Sequence, residues 1–446
     1  MSLSLTNNNS TFDFGDDFNQ EINGKPLTPE EVNILTKMNS EYAHTTIGSK
    51  NMVISLRCNA VKNVTHHFEP IQEFKNRFLH QPKIVKMNMG EAWLCWPGKR
   101  YHPDGIAFYP IPKDCPAKQY NMFTGFALEP LEGDVEPFLK HVKDVICVDD
   151  EKAAKYLLQF FSHMLRKPDE KPSVAIVMKS VEGTGKGSLM EPLLAILGDY
   201  ACQTNGAYLV TGRFNSALTN KLLVFGDEVD LTDKRTSDKL KALISETTLL
   251  LERKGIDPVP MSNFIRFVFA SNMNKVLRAG SRERRYLVLE PSATNAQDKG
   301  YFDQYHNWLN NSGASHLLHY LLHLDISDFD PRRAPITNAL KEEKMANLTL
   351  SEDFMYSELL KDKPFGGAVR PEPKDIIILY EDYLASKHEQ PMSESQKRST
   401  IGILMKNYGV HSFGKRGRNM RYLIPEADEL RNRFAKNYGY INEELF

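Results

Sequence analysis

Residues 173–197 of this 446-residue chain are SVAIVMKSVEGTGKGSLMEPLLAIL. An apolar run, which predicts a buried strand, leads into a glycine-rich turn and then into an amphipathic helix. Glycines let backbone N–H groups approach a phosphate, and the start of the helix adds free donors and the positive end of its dipole. The segment therefore predicts a phosphate-binding loop, with Lys186 contacting the β- and γ-phosphates. The candidate nucleotide-binding residues are Gly183, Thr184, Gly185, Lys186, Gly187 and Ser188.

The loop departs from the usual pattern at two positions. Ser180 occupies the usual first glycine position. Gly187 directly follows the lysine, where a serine or threonine that binds magnesium is usual, and Ser188 comes one residue later. Ser188 is therefore the hydroxyl candidate for the metal.

Two carboxylates follow the next apolar run. Residues 222–225 are Leu-Leu-Val-Phe, and Gly226, Asp227 and Glu228 come directly after them. Such a pair at a strand end is by itself an ordinary solvated turn. After a phosphate loop it predicts ATP hydrolysis, in which Asp227 holds Mg²⁺ and Glu228 polarises the attacking water.

A third apolar run, residues 264–270, ends in Ser271 and Asn272. The amide of Asn272 is suited to hydrogen-bond a γ-phosphate or the attacking water. A basic run, residues 282–285, then precedes another apolar strand. These arginines form either a solvated face or a group that reaches the nucleotide of a neighbouring subunit, with Arg284 and Arg285 as the candidates.

Apolar runs alternate with helical segments through this part of the chain. The alternation predicts an α/β fold with a largely parallel, buried sheet. A helix with apolar residues at helical spacing is also predicted after Asp149, ending near Pro168. The alternating segments are residues 173–178, 186–197, 222–228, 236–251 and 264–272, of which the second and fourth are predicted helices.

Four segments in this order resemble superfamily 3 helicases, the compact AAA+ motors of viral and plasmid replication, and more closely the phage-type primase–helicase family. The segments are EGTGKGS, FNSALTNKLLVFGDEVD, LKALISETTLLLERKGIDPVPMSNFIRFVFASN and RERRYLVLE, and the match covers residues 120–340. The resemblance implies an AAA+ P-loop core that binds ATP and Mg²⁺. It also implies a ring, taken here as a hexamer, which hydrolyses ATP at subunit interfaces and moves along single-stranded DNA, typically 3′ to 5′. It gives Asn272 a sensor role and Arg285 the role of arginine finger, with Arg284 as the second candidate.

Two basic segments are candidates for DNA contact. Gly255, followed by Asp-Pro, predicts a hairpin tip with Arg253 and Lys254 beside it. The hairpin is either simply exposed or, as the resemblance implies, directed into the ring channel against the DNA backbone. Two helices at residues 375–387 and 395–408 precede a basic run and resemble a winged helix, although such a run is often a solvated surface. The basic residues of that run are Lys415, Arg416, Arg418 and Arg421.

Composition limits the classes of protein. The hydrophobic fraction is 41%, the charged fraction is 25% and the net charge is −1, which together exclude a disordered chain and a globally basic DNA binder. The N-terminal residues lack the features of a signal peptide, and no apolar run is long enough for a membrane span. We therefore expect a protein of the bacterial host cytoplasm. Residues 1–120 show no carboxylate cluster of the kind a primase needs, so we expect a motor that works with a separate primase.

The sequence analysis thus predicts a replicative DNA helicase of a phage or mobile genetic element, acting on single-stranded and forked DNA. The alternatives are an origin-binding initiator in which ATP only switches assembly and a small-molecule kinase. The predicted division is a mobile tail at residues 1–25, an accessory domain at 26–125, a helical collar for oligomerisation at 126–170, the AAA+ helicase domain at 171–345 and a winged-helix-like DNA-binding domain at 346–446.

Overall fold

The computed structural model describes residues 20–58, 64–206, 216–253, 256–390, 392–414 and 420–446. Its first part is a unit built on a four-stranded sheet with the order β5-β4-β3-β6, in which only the β3–β6 pair is parallel. The elements are β1 (Glu21–Ile22), β2 (Lys25–Pro26), α1 (Pro29–Glu41), β3 (Tyr42–Ile47), β4 (Lys50–Cys58), β5 (Val64–Pro70), α2 (Ile71–Arg77), α3 (Met89–Cys95), β6 (Tyr101–His102), β7 (Ile106–Ala107) and β8 (Tyr120–Asn121).

The predicted mobile tail is too long. Strand β1 pairs with β2, and Ile22 is fully buried in the same apolar cluster as Leu35 and Trp93. An isoleucine in this core anchors the segment, because its burial alone contributes about 2 kcal/mol. The prediction is therefore wrong for residues 21–25, and residues 1–19 lie outside the described residues.

A five-stranded, fully parallel sheet is the centre of the next unit. Its order is β10-β11-β14-β9-β15, so that β14 lies between β9 and β11. The elements are α4 (Glu136–Lys140), a π-helical turn (His141–Ile146), α5 (Glu151–Arg166), β9 (Ala175–Lys179), α6 (Lys186–Leu197), β10 (Ala201–Asn205), β11 (Leu223–Asp227), α7 (Lys234–Ser245), β12 (Thr248–Arg253), β13 (Ile256–Ser262), β14 (Arg266–Ser271), β15 (Tyr286–Leu289), α8 (Lys299–Trp308), α9 (Ala314–His323) and α10 (Asn338–Met345).

The sheet is covered by helices on both faces. Along β9, Ile176 and Met178 belong to the apolar core formed with α5, α6 and α9. The alternate residues Ala175 and Val177 belong to the core formed with α7 and α10. Burial on both faces explains why these strands are continuous apolar runs, and it confirms the predicted parallel α/β sheet.

The predicted helix at residues 236–251 is wrong in its last third. Helix α7 ends at Ser245, and residues 248–253 form β12, which pairs antiparallel with β13. The side-chain amide of Asn263 donates to the Leu243 and Glu246 carbonyls at 2.8 and 2.9 Å, so it satisfies acceptors that a longer helix would have used. Strands β12 and β13 form the predicted hairpin, and its predicted tip at Gly255 lies outside the described residues.

The segment predicted as a separate collar shares the core of the sheet. The predicted helix is confirmed as α5, and its buried Phe160 and Phe161 pack in the same cluster as the strands. The fully buried guanidinium of Arg266, at the start of β14, donates to the Lys167, Pro168 and Glu170 carbonyls at 2.8–3.1 Å. These bonds fix the chain that follows α5 to the amino edge of the sheet.

The C-terminal unit has its own apolar core. Its elements are α11 (Leu350–Leu359), α12 (Pro373–Ser386), α13 (Glu394–Asn407), β16 (His411–Phe413), β17 (Arg421–Leu423), α14 (Ala427–Tyr438) and α15 (Asn442–Leu445). The two predicted helices are confirmed as α12 and α13, and an antiparallel hairpin follows them. The N–H groups of Tyr422 and Ile424 donate to the Pro371 and Val369 carbonyls, which adds an extended segment beside β17. In the described ranges, every helix is too short or too polar to traverse a lipid bilayer.

Three buried histidines make stability depend on pH. His102, His141 and His163 are at most 3% exposed, and burial lowers the pKa of each to about 4. Below pH ~6.5 the unfolded chain therefore binds protons that the folded chain excludes, and stability falls as the pH approaches 4. We expect the free energy of unfolding in urea to drop between pH 7 and pH 5 by about 1–2 kcal/mol per histidine. Between pH 8 and pH 7 these histidines should contribute no change, and a flat profile down to pH 5 would contradict the prediction.

Candidate nucleotide-binding site

A cavity of about 400 Å³ opens where the carboxyl ends of β9, β11 and β14 meet. The candidate phosphate loop follows β9, the carboxylates end β11, and the candidate amide follows β14. The strand order therefore brings the three segments to one place. The cavity is lined by Glu182, Gly183, Thr184, Gly185, Lys186, Gly187, Ser188, Glu191, Asp227, Glu228, Asn272, Gln297, Phe302 and His306.

Two glycines of the loop are required by its shape. Gly183 and Gly185 have φ angles of +76° and +89°, which side chains rarely allow. A β-carbon on Gly183 would lie 2.8 Å from the side chain of Gln297, and one on Gly185 would lie 2.5 Å from the ring of His141. Any other residue at Gly183 or Gly185 would therefore clash with a neighbouring side chain.

Ser180 takes part in the loop rather than disrupting it. Its φ angle is not positive, so the position does not require glycine. Its hydroxyl is 2.7 Å from the hydroxyl of Thr184 and accepts a hydrogen bond from the Lys186 ammonium at 3.1 Å. The departure from the usual first glycine is therefore accommodated by hydrogen bonds within the loop.

The Lys186 ammonium links the loop to the tip of β14. It donates to the carbonyls of Ser180 and Val181 at 2.8 and 2.9 Å and to Asn272 Oδ1 at 3.0 Å. Burial lowers the pKa of this lysine, and the nearby Asp227 carboxylate acts in the opposite direction. The structure thus places Lys186, Asn272 and Asp227 together, as the sequence analysis expected.

The carboxylates line the cavity at the end of β11, which is separated by β14 from the strand that carries the loop. Asp227 Oδ1 accepts the backbone N–H of Glu228 at 3.0 Å. Glu228 is exposed and has a φ angle of +52°, a strained conformation for a residue with a side chain. Such strain is often found at functional sites, where the surrounding structure imposes it.

Oxygen donors suited to magnesium line the same cavity. The Asp227 carboxylate and Ser188 are both present, and Ser188 is mostly buried. In the described part of the chain, no group of three or more His, Cys, Asp or Glu side chains could hold a metal. Mg²⁺ commonly uses one or two protein oxygens together with water and substrate phosphates, so these residues fit a metal that arrives with a nucleotide.

The end of the cavity beyond the loop was missed by the sequence analysis. Gln297, Phe302 and His306 come from α8 and the segment before it, and His306 Nε2 lies 3.4 Å from a carboxylate oxygen of Glu191 on α6. These residues belong to no recognisable motif. The only signal in the sequence is the four-residue spacing of the two aromatic rings, which places them on one helix face.

The candidate arginines lie at the other edge of the sheet. Arg284 and Arg285 precede β15, and the Arg285 carbonyl accepts the N–H of Ala175 at the start of β9. The five residues of β9 span about 16 Å, so the Arg285 guanidinium and the phosphate loop are separated within one chain. That guanidinium donates to the Ser245 hydroxyl at 3.1 Å and remains 41% exposed.

The DNA-contact candidates are only partly described. Arg253 ends β12, and its side chain lies outside the described parts, as do Lys254, Lys415, Arg416 and Arg418. Arg421 lies in β17, is about half exposed and contacts a Glu372 carboxylate oxygen at 3.3 Å. Part of its charge is therefore balanced within the chain.

Comparison with known proteins places the chain near phage replication proteins. The model of a family of unknown function, DUF5906, matches residues 178–285. The DNA primase-polymerase of Nitratiruptor phage NrS-1 is 25% identical over 197 residues, which are 43% of this chain and 26% of that protein. The chain thus spans about a quarter of the length of this curated relative.

The fold is similar to solved structures of the NrS-1 C-terminal region. The match to one apo structure covers 89% of this chain and 99% of the chain in that structure, with a TM-score of 0.65 at 15% sequence identity. The match to a second apo structure covers 87% of this chain and 98% of the chain in that structure, with a TM-score of 0.64 at 15% sequence identity. At this identity the likeness shows the fold alone, and this fold includes the mixed α/β unit with its parallel sheet.

Gly187 offers a direct test of the candidate metal site. A β-carbon there would have no atom within 4 Å, so a larger residue fits. We expect Gly187→Thr to add a hydroxyl ligand and lower the Mg²⁺ concentration that half-saturates ATP binding by about threefold or more. Gly187→Ala adds the carbon without the hydroxyl and should leave that concentration unchanged. Equal effects of the two substitutions, measured by titration with a fluorescent ATP analogue, would contradict the prediction.

Proposed function

We propose that this chain is an ATP- and Mg²⁺-dependent DNA helicase of the superfamily 3 AAA+ type, which acts as a ring in the replication of a phage or mobile element. One observation carries the proposal: Lys186, Asn272, Asp227 and Glu228 come from three strand ends and line a single cavity. A phosphate-binding lysine, a polar sensor and two carboxylates are the groups that nucleoside triphosphate hydrolysis requires.

The contacts of Lys186 link nucleotide binding in the loop to the side chain of Asn272. Its ammonium is held by two loop carbonyls and by Asn272. A triphosphate in the loop draws the ammonium towards the β- and γ-oxygens, because a charge-assisted bond to phosphate is stronger than one to a neutral carbonyl. Asn272 is then free to bond the γ-phosphate or the attacking water.

The remaining residues complete hydrolysis. The loop amides and the N-terminus of α6 bind the phosphates, while Asp227 and Ser188 hold the magnesium ion. Glu228 accepts a hydrogen bond from the attacking water and orients it towards the γ-phosphate. Bound Mg²⁺ neutralises the charge that develops on the phosphate oxygens.

The proposed arginine finger acts between subunits. Arg285 lies at the amino edge of the sheet, and the loop lies at the carboxyl edge. A guanidinium that stabilises transition-state charge must reach the γ-phosphate, which Arg285 does not do within its own chain. The site is therefore complete only when a second copy presents this residue, and isolated monomers hydrolyse ATP poorly.

The relatives support a role in replication. NrS-1 is a phage, and the matching relative is named as a DNA primase-polymerase. The present chain aligns with about a quarter of that protein and has the fold of its C-terminal region. We propose that the chain supplies the motor in this replication.

Mixing two inactive variants tests the shared site. Lys186→Ala should abolish nucleotide use in its own loop, and Arg285→Ala should lower ATP turnover about 10³-fold. In a mixed ring, an Arg285→Ala loop meets an intact arginine from a Lys186→Ala neighbour. ATP turnover by the mixture should therefore recover to a measurable fraction of the wild-type rate.

The matched control mixes Lys186→Ala with Glu228→Gln. Both lesions then lie on the loop side of the interface, so no complete site forms and no activity should return. An absence of recovery in the first mixture, with mixed rings shown by native mass spectrometry, would contradict the trans arrangement. If wild-type rings hydrolyse ATP but do not displace a strand from a forked substrate, the chain is instead an ATP-switched initiator.

The β12–β13 hairpin is the proposed DNA contact within the channel. Arg253→Ala with Lys254→Ala removes two cations per subunit, so single-stranded DNA affinity should fall roughly tenfold and depend less steeply on salt. Fluorescence anisotropy at several salt concentrations measures both quantities. Lys152→Ala, which removes an exposed cation from α5, is the control. A loss in the control equal to that in the double variant would contradict a specific role for the hairpin.

A further inference from the structure

A buried histidine outside every sequence motif contacts the phosphate loop. His141 is the first residue of the π-helical turn and is 0% exposed. Its Nε2 lies 3.0 Å from the Gly185 carbonyl oxygen, and its Nδ1 lies 2.9 Å from the Tyr301 hydroxyl. The imidazole thus joins the turn, the loop and α8.

These contacts fix the tautomer of the ring. A carbonyl oxygen only accepts, so Nε2 carries the proton and donates to Gly185. Nδ1 is then the acceptor, and the Tyr301 hydroxyl donates to it. Burial lowers the pKa of His141 to about 4, so the ring is neutral at physiological pH and this single arrangement holds.

The carbonyl that His141 contacts controls the start of α6. Gly185 precedes this helix in a left-handed conformation, and its carbonyl also accepts the N–H of Leu189 at 3.1 Å, the first hydrogen bond of the helix. The direction of this carbonyl sets the direction of the helix N-terminus, whose free N–H groups face the cavity.

A second loop carbonyl is held in the same way from outside the loop. The Gly183 carbonyl accepts the N–H of Gln297 at 3.1 Å, and Ser292, five residues before Gln297, donates its N–H to the carbonyl of Val145 in the π-helical turn. The carbonyls of Gly183 and Gly185 are therefore both held by donors from outside the loop. π-Helical turns inside longer helices are frequently found at functional sites.

We propose that His141 is a positioning residue for nucleotide binding, which holds the Gly185 carbonyl so that the amides of the loop and of α6 face the triphosphate. This rests on the proposed function. His141 itself does not touch the nucleotide, because its ring is fully buried behind the loop.

Two substitutions separate the hydrogen bond from the volume of the ring. His141→Phe keeps an aromatic ring and removes the donor, whereas His141→Gln retains an N–H donor near the position of Nε2. We expect His141→Phe to weaken binding of a fluorescent ATP analogue about five- to tenfold, the loss of one well-placed hydrogen bond. His141→Gln should restore binding to within about twofold of wild type. His163→Phe, at another buried histidine near the amino edge of the sheet, controls for general destabilisation.

Hydrogen exchange without nucleotide provides an independent measurement. Amides of residues 183–189 should exchange faster in His141→Phe than in wild type, and at the wild-type rate in His141→Gln. Equal exchange and equal ATP affinity in wild type and His141→Phe would overturn the proposal, as would equal losses in the two His141 variants. If wild type binds no ATP, the proposed function fails, while the exchange measurement still decides whether His141 holds the loop.

Discussion

The position of β14 between β9 and β11 is the constraint on which the candidate site depends. In a parallel sheet all carboxyl ends meet at one edge, and neighbouring strands are about 4.8 Å apart. Asn272 is thereby placed between the loop after β9 and the carboxylates at the end of β11. This explains the hydrogen bond between Lys186 and Asn272, whose positions are 86 residues apart in sequence. Any strand order that separated β14 from β9 would remove this contact.

The region after Asn272 is fixed by a buried carboxylate of α10. Glu343 is 1% exposed and accepts the N–H groups of Val276 and Leu277 at 3.0–3.3 Å. It also lies 3.6 Å from the ammonium of Lys179, the last residue of β9. A buried carboxylate needs such donors and a cation to offset its lost hydration. The same interaction therefore holds the strand end that carries the loop and the segment that follows Asn272.

The parts predicted from sequence are those in which local chemistry determines the structure. The strand, glycine turn and helix of residues 173–197 and the carboxylates after β11 were found because their residue types are required at fixed spacing. The end of α7 was missed because a run of leucines suits a helix and a strand equally, and a distant asparagine decides between them. His141 and Gln297 were missed because their roles arise from tertiary contacts with loop carbonyls, which leave no periodic pattern.

The opposite placement of Arg285 and Lys186 also limits how copies of the chain can assemble. A two-fold dimer pairs the amino edge of each sheet with the carboxyl edge of the other only where both edges belong to one self-complementary surface. When the two edges lie on separate surfaces, their pairing is a heterologous contact, which repeats with every added copy until it closes. The proposed ring is the closed form of this contact, and each of its interfaces would contain one loop and one arginine. The proposed chemistry and the proposed assembly are thus linked by the geometry of a single sheet.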